Sequence, residues 1–207
     1  MPEYKKTIIL ADGNFPVHVI PLKYLSEAER IICCDGSADQ LIKAGFIPSA
    51  IVGDLDSVSA EIRKKYPEIL FPDPDQETND LTKAVRWCIK KGFRDLIILG
   101  ATGKREDHTI GNISLLAEYA TETEVMMVTD TGFLRPYLRS CIFKVVTGQQ
   151  ISVFSINPET EITSVGLRYP LVRKKLRNWW EATLNEAAAD TVELEFEGGA
   201  IIVFTEF

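Results

Sequence analysis

The chain has 207 residues, of which 45% are hydrophobic and 26% are charged, a composition typical of a globular protein. Its formal net charge of -7 argues against a general nucleic-acid or membrane-surface binder, since both partners are anionic. No apolar run approaches the ~20 residues of a membrane-spanning helix, and the first residues lack the apolar core of a signal peptide. The four cysteines form no C-x-x-C pair, so we expect free thiols, no structural zinc and a cytoplasmic location.

Strand and helix patterns alternate through about residue 130. Short apolar runs predict strands at 7–11, 30–34, 51–57, 69–71, 96–100 and 125–128. Helical patterns lie between them, at 22–30, 38–44, 60–66, 80–91 and 107–119. Asn79 is placed to cap the fourth helix, and Ile110 is expected to face inward from the fifth. Continuous apolar strands between helices predict a parallel sheet covered on both faces.

The pattern changes after Gly132. Apolar and polar residues alternate at 141–146, 151–156, 161–165 and 191–196, and the turn 197–200 predicts a hairpin into 201–205. We therefore predict an α/β N-terminal domain with a mostly parallel, Rossmann-like sheet over residues 1–132. A smaller all-β sandwich domain is expected to follow over residues 140–207.

Two carboxylates follow the third predicted strand, in the sequence Gly53-Asp54-Leu55-Asp56-Ser57. In an extended chain their Cα atoms would lie roughly 6.6 Å apart on one face. At about 5 Å and an effective dielectric of 20, two such charges repel by roughly 3 kcal/mol. A hard divalent cation would relieve that repulsion, and Mg²⁺ is commonly shared between carboxylates and substrate phosphates. By itself, the pair is equally typical of an acidic loop before a helix.

Polar loops follow four of the predicted parallel strands, at 35–37, 53–57, 73–80 and 100–108. Ligands of open parallel sheets bind at the carboxyl ends of the strands, where these loops would meet. The last loop combines glycines with Lys104 and Arg105 just before a helix, which suits phosphate binding, although its spacing is not that of a Walker P-loop. The sequence thus predicts a metal-nucleotide site at this edge of the sheet.

Four segments together resemble the thiamine pyrophosphokinase (thiamine diphosphokinase) family: 34–38, 53–57, 75–83 and 100–112. The segment 166–171 resembles the motif in the C-terminal β-sandwich of that family. The resemblance implies transfer of diphosphate from ATP to the hydroxyl of thiamine, with Mg²⁺ as cofactor and with release of AMP and thiamine diphosphate. It also implies a homodimer, with the sandwich domain binding thiamine and forming the subunit interface. The aromatic pair Trp179-Trp180 could stack on a ring, or it could lie in the core or at such an interface, where aromatic residues are enriched.

The resemblance also assigns roles to individual positions. It implies that the catalytic and Mg²⁺-binding residues are Asp54, Asp56 and Asp80. For ATP it implies the following set: Asp35, Gly36, Gln76, Lys83, Thr102, Gly103, Arg105, Asp107, His108 and Asn112. For thiamine it implies Tyr169, Thr183 and Asn185. The chain departs from the family pattern at four positions, where Ser37 and Lys104 replace glycines, Asn79 replaces threonine and Leu184 replaces serine.

Two other functions are compatible with the residues alone. One is a different Mg²⁺-dependent phosphotransferase or phosphatase, although a haloacid-dehalogenase-type phosphatase would carry its Asp-x-Asp pair after the first strand. The other is a nucleotide or thiamine sensor without turnover, against which the presence of Asp54, Asp56 and Asp80 argues.

Overall fold

The computed structural model describes residues 6–207, which divide into two structural units. The first comprises residues 6–115 and 122–130, and the second comprises residues 116–121 and 131–207. The first five residues of the predicted N-terminal domain lie outside the described part of the chain. Within residues 6–207, no helix has the length and apolar character needed to cross a bilayer.

Six parallel strands form the sheet of the first unit. They are β1 Thr7–Leu10, β2 Arg30–Cys34, β3 Ala50–Gly53, β4 Leu70–Pro72, β5 Leu96–Leu99 and β6 Val125–Val128. Five helices accompany them: α1 Val19–Ser26, α2 Ser37–Lys43, α3 Ala60–Lys65, α4 Asp80–Lys90 and α5 Glu106–Tyr119, with a short 3₁₀ turn at Pro67–Ile69. Every residue of β1, β3 and β5 is buried, as expected for strands covered on both faces.

The strand order in this unit is β6-β5-β1-β2-β3-β4. The chain moves outward from β1 through β2, β3 and β4, and then returns to the other side of β1 with β5 and β6. The order therefore reverses between β1 and β5, which opens a crevice at the carboxyl ends of these two strands.

Most helix boundaries agree with the predicted ones, but one boundary and the orientation of one side chain differ. Asn79 caps α4 as predicted, since its side-chain oxygen accepts a hydrogen bond from Thr82 N at 2.9 Å. Helix α1 begins at Val19 and ends at Ser26, earlier than the predicted 22–30, because the His18 side chain caps it through Ile20 N. The prediction that Ile110 faces inward is wrong, because its side chain is 58% exposed.

The second unit is an antiparallel sandwich. Its strands are β7 Gly132–Tyr137, β8 Cys141–Lys144, β9 Gln150–Ser155, β10 Glu161–Val165, β11 Lys174–Lys175, β12 Asn185–Glu186, β13 Thr191–Phe196 and β14 Ile201–Glu206, with a 3₁₀ turn at Trp179–Ala182. One sheet has the order β12-β9-β14-β7 and the other β11-β10-β13-β8. The fold class predicted from the sequence, a mostly parallel α/β part followed by a β-sandwich, is confirmed.

The predicted hairpin between β13 and β14 is wrong. Strand β13 pairs with β8 and β10, whereas β14 pairs with β7 and β9, so the turn between them passes from one sheet to the other. Gly198 and Gly199, both with positive φ, permit that crossing. The two strands meet across the core instead, where Val192 and Leu194 of β13 are buried in the same cluster as Ile201. Strand β7 was not predicted at all.

Candidate active site

A cleft of about 420 Å³ lies at the carboxyl ends of the parallel strands in the first unit. Its walls come from the loops after β1, β2, β3, β4 and β5 and from the first turns of α4 and α5. The cleft includes the point where the strand order reverses between β1 and β5. Open α/β sheets bind their ligands at this place, because the loops on either side diverge there.

The loops after β1 and β5 are joined by backbone hydrogen bonds. Gly13 N donates to Gly100 O at 2.6 Å, and Asn14 N donates to Thr102 O at 2.9 Å. A Cβ atom on Gly13 would lie 2.4 Å from both of these carbonyl oxygens, so the approach requires glycine. This pairing brings Asp12 to the cleft, although the sequence analysis did not place the first loop in the site. The carboxylate and glycine at the end of the first apolar run were the signal that could have identified it.

The chain turns sharply after β3. The strand ends at Gly53, and Leu55 adopts a φ of 66° in the left-handed region. Asp56 N donates to Asp54 Oδ1 at 3.1 Å, and the Arg63 guanidinium holds the turn by donating to Leu55 O. Asp54 lines the cleft but Asp56 does not. The expectation that the two carboxylates share one face of an extended strand is therefore wrong, because a tight turn separates them.

Acidic side chains that line the cleft crowd around Gly53, which precedes the lining residue Asp54. A Cβ atom at Gly53 would lie 3.1 Å from Asp35 Cβ and 3.2 Å from Asp80 Oδ1, so the absent side chain makes room for both acids. Lys83, which is only 4% exposed, donates through Nζ to Asp80 Oδ1 at 3.1 Å. Burial opposes the charge of Lys83, but its hydrogen bond and attraction to Asp80 prevail, and the pKa of Lys83 is raised. This buried ammonium neutralises part of the acidic centre.

Asp35 carries an unsatisfied buried oxygen. Its Oδ2 accepts a hydrogen bond from Ser57 N at 3.2 Å, whereas its Oδ1 is buried and has no hydrogen-bond partner among residues 6–207. Burial raises the pKa of Asp35, and the carboxylates of Asp80 and Asp54 add to that effect against the hydrogen bond from Ser57. The pKa of Asp54 is lowered, chiefly by the hydrogen bond from Asp56 N. An unpaired buried carboxylate oxygen beside two other acids favours a bound cation.

The donor set fits Mg²⁺ that arrives with a polyphosphate. In the described residues, no three or more His, Cys, Asp or Glu side chains are arranged to hold a metal ion by themselves. Mg²⁺ does not need such a set, because it usually takes one or two carboxylates and completes its shell with phosphates and water. Asp54 and Asp80 offer those carboxylates, and the unpaired oxygen of Asp35 lies in the same cleft.

Cations come from the loop after β5. Arg105 contacts Asp107 through two hydrogen bonds, Nε to Oδ1 at 3.0 Å and Nη2 to Oδ2 at 2.5 Å. His108 N donates to the same carboxylate at 2.9 Å. Lys104 Nζ lies 2.9 Å from Asp12 Oδ1 on the neighbouring loop. The cleft thus sets cations beside carboxylates, as a site for a metal-bound polyphosphate requires.

The structure brings together most of the residues predicted for the metal and the nucleotide. Those that line the cleft are Asp35, Asp54, Gln76, Asp80, Lys83, Gly103, Arg105, His108 and Asn112. Those that do not line it are Gly36, Asp56, Thr102 and Asp107. Asp107 instead orients Arg105, and Thr102 contributes its carbonyl to the joined loops. Lining residues to which the sequence analysis assigned no role include Asp12, Ser57 and Thr78.

The three positions predicted for thiamine line a second cavity, of about 410 Å³, within the sandwich unit. Asn185 is buried, and its Oδ1 accepts from Tyr169 N at 3.1 Å and from Glu186 N at 2.9 Å. Its Nδ2 donates to Tyr169 O at 2.7 Å. The Asn185 amide therefore holds the backbone of Tyr169, whose side chain is 61% exposed.

The chain around residues 180–184 combines exposed apolar side chains with a hydroxyl group. Leu184 adopts a φ of 55° and is 74% exposed, with its backbone held by a hydrogen bond to Ser152 Oγ at 3.2 Å. Thr183 donates its hydroxyl to Trp180 O at 2.8 Å, which leaves the hydroxyl oxygen free to accept. Trp180 is 73% exposed, whereas the ring of Trp179 packs at 5.7 Å from that of Phe154.

Two family models match the chain. The model described as thiamin pyrophosphokinase, catalytic domain, matches residues 22–148. The model described as thiamin pyrophosphokinase, substrate-binding domain, matches residues 132–204. Together these matches include the cleft after β2 to β5 and the whole of the second cavity.

Individual thiamine pyrophosphokinases are also similar to this chain in sequence and in structure. Thiamine pyrophosphokinase of Bacillus subtilis (strain 168) is 30% identical over 176 residues, which are 80% of this chain and 82% of the relative. Thiamin pyrophosphokinase 1 of Caenorhabditis elegans is 27% identical over 168 residues, and the match spans 70% of this chain but only 66% of that protein. The crystal structure of thiamine pyrophosphokinase from Bacillus subtilis superposes with a TM-score of 0.80 at 23% identity, covering 98% of this chain and 99% of the other.

Proposed function

This chain belongs to the thiamine pyrophosphokinase family of ATP-dependent diphosphotransferases, and we propose that it transfers diphosphate from ATP to the hydroxyl of thiamine. The products would be thiamine diphosphate and AMP. The observation that supports this most directly is the cleft at the β1–β5 reversal, where Asp54 and Asp80 lie among Lys83, Lys104 and Arg105. A metal-bound polyphosphate needs both signs of charge in one cleft, carboxylates for the ion and basic side chains for the phosphate oxygens.

Positioning and charge neutralisation account for most of the catalysis expected here. In-line transfer of a phosphoryl group needs the reacting atoms held in place and little covalent help from the protein. Asp54 and Asp80 would hold Mg²⁺, with Asp56 assigned by the resemblance alone. When bound, the ion would neutralise charge on the phosphates and on the leaving AMP. Arg105 is pre-oriented by Asp107 and would donate to phosphate oxygens, whereas Lys83 would hold the Asp80 carboxylate in place.

The remaining predicted nucleotide residues would shape the same cleft. Asn112 donates to Ala101 O at 2.9 Å and accepts from Asn79 Nδ2 at 3.2 Å, which links the start of α4 to α5 and to the loop after β5. Gly103 has a φ of 77° and lies close to Asn14. A Cβ atom on Gly103 would come within 2.2 Å of the side-chain nitrogen Nδ2 of Asn14. These contacts support a rigid nucleotide site.

For thiamine we propose the cavity of the second unit. Its mouth offers an exposed aromatic ring, Tyr169, on which a planar heterocycle can stack, and the accepting hydroxyl oxygen of Thr183. Asn185 would contribute by fixing Tyr169. The exposed Trp180 and Leu184 support the further proposal that this unit forms a homodimer interface. The cytoplasmic location remains a prediction from the free thiols, three of which are buried.

The deciding experiment is to incubate the purified chain with ATP, Mg²⁺ and thiamine and to identify the products by chromatography. AMP and thiamine diphosphate in equal amounts are expected. ADP with thiamine monophosphate would indicate single phosphoryl transfer and would contradict the proposal. Binding of both ligands without any product would indicate a sensor.

A further inference from the structure

Lys104 stands out among the cations that line the nucleotide cleft because its partner lies on a different loop. It follows β5 and adopts a φ of 55°, a conformation that L-residues rarely take. Its Nζ lies 2.9 Å from Asp12 Oδ1 on the loop after β1, and the two side chains are 46% and 45% exposed. Both residues line the cleft.

Among residues 6–207, the other two basic side chains of the cleft, Lys83 and Arg105, are held more firmly by their partners. Lys83 is almost fully buried against Asp80, so release would leave a buried ammonium without its counter-ion. Arg105 is held by Asp107 through two parallel hydrogen bonds in a fork geometry. Among the described residues, Lys104 has one ion-pair partner, Asp12, and it reaches that partner on a flexible four-carbon stem. A half-exposed ion pair of this kind contributes little to stability.

The surroundings favour exchange at Lys104. Its backbone is held because the neighbouring residues Thr102 and Gly103 are fixed against Asn14 by a hydrogen bond and by close packing. Only the side chain is free to move. Asp12 Oδ1 also accepts a hydrogen bond from Gln40 Nε2 at 3.1 Å, so the carboxylate keeps a partner after Lys104 leaves. A polyphosphate presents several charged oxygens in place of one carboxylate, and it can outcompete Asp12.

We propose that Lys104 exchanges Asp12 for the triphosphate chain of the bound nucleotide, so that Asp12 acts as a competing anion that sets nucleotide affinity. Lys104 is then a binding residue and Asp12 a positioning residue that acts through it. The inference rests on the proposed function only in taking a nucleoside triphosphate as the ligand of this cleft.

The test measures binding in the absence of thiamine, with the α,β-methylene analogue of ATP and Mg²⁺ in a calorimeter. Lys104→Gly removes the cation and suits the positive φ, so the backbone is not strained. The matched control is Arg173→Gly, because Arg173 also has a positive φ of 46° and an exposed ion pair, with Glu161 at 2.8 Å, but lies in the sandwich unit. We expect the Kd of the analogue to rise about tenfold in Lys104→Gly, as for the loss of one charge-assisted hydrogen bond, and to stay unchanged in Arg173→Gly.

Asp12→Asn tests the competition itself. It should lower the Kd of the analogue severalfold in the wild-type background and leave it unchanged when combined with Lys104→Gly. Equal affinity of Lys104→Gly and Arg173→Gly would overturn the inference, as would tightening by Asp12→Asn that persists without Lys104. Failure of the wild-type chain to bind the analogue would overturn it as well. A chain that binds the analogue but makes no thiamine diphosphate would contradict the proposed function alone.

Discussion

Replacement of Asn185 by alanine should destabilise the sandwich unit far more than an ordinary surface substitution does. The wild-type side chain is 4% exposed and makes three hydrogen bonds, two of them to the backbone of Tyr169 and one to Glu186 N. Asn185→Ala removes all three and leaves two N–H groups and one carbonyl to find other partners. The part-buried position of these groups limits how well water can replace the lost amide.

The expected size of the effect follows from the number of bonds. At roughly 1 kcal/mol for each intramolecular hydrogen bond, the loss is about 3 kcal/mol in the free energy of unfolding. For a chain of this length, that corresponds to a fall in Tm of roughly 6–12 °C. The control is Asn157→Ala in the same unit, whose exposed side chain accepts one hydrogen bond, from Glu159 N at 3.0 Å. That variant should lose under about 1 kcal/mol.

The assay is guanidinium unfolding followed by tryptophan fluorescence, since Trp179 and Trp180 both belong to the sandwich unit. Calorimetric titration of the folded variant should show weaker binding of thiamine and unchanged binding of ATP, because the displaced Tyr169 lies in the second cavity. A stability loss no larger than that of Asn157→Ala would refute the reasoning that Asn185 fixes this loop. If thiamine binding were unchanged as well, the second cavity would not be its site.

Three further predictions concern catalysis, assembly and pH. Asp54→Asn and Asp80→Asn should each lower kcat/KM at least tenfold, which corresponds to about 1.4 kcal/mol of activation free energy. Asp56→Asn should have a smaller effect, because Asp56 does not line the cleft. Steady-state kinetics of the three variants will show whether that order holds. Light scattering at micromolar concentration should report a dimer, and a fully active monomer would contradict the proposed assembly. Burial raises the pKa of the Cys33 and Cys88 thiols to about 12, so the contribution of these two thiols to stability should be constant up to about pH 9 and then fall as the pH rises from about 9 to 12, because the thiols ionise there only in the unfolded chain. Each thiol should reduce the folding constant by about one decade per pH unit in that range, and a Cys88→Ala variant with an unchanged slope would count against this account.

Local sequence signals predicted most of the helices and strands of the first unit, and the resemblance to the family predicted most of the residues that line the cleft. Continuous apolar runs such as Leu96–Leu99 identify strands buried on both faces, because no other short element needs every side chain to be apolar. Asn79 marks the start of α4, because a side-chain oxygen is needed there to accept from a free N–H. The polar loops that follow parallel strands could be assigned to one edge of the sheet without knowing which strands are neighbours, since all such strands point the same way.

Periodicity does not show which strands pair, and the wrong prediction of the hairpin between β13 and β14 follows from that. Alternation shows that Val192 and Leu194 face a core, but it cannot tell that β13 and β14 lie in opposite sheets. Periodicity also favours solvent exposure for a lysine that lies outside the apolar stripe of a helix. Lys83 is nevertheless buried, because the carboxylate of Asp80 balances the charge of its ammonium group.

The sequence by itself determined where most of the strands lie, which residues carry charge and which family the motifs resemble. Only the tertiary structure decided that β1 lies between β5 and β2, which joins Gly13 to Gly100 and brings Asp12 to Lys104 across 92 positions of sequence. It also decided that a left-handed Leu55 turns Asp56 out of the cleft. The physical reason is that propensity and capping act over a few neighbouring residues, whereas strand order and the partner of a charge depend on packing between distant segments.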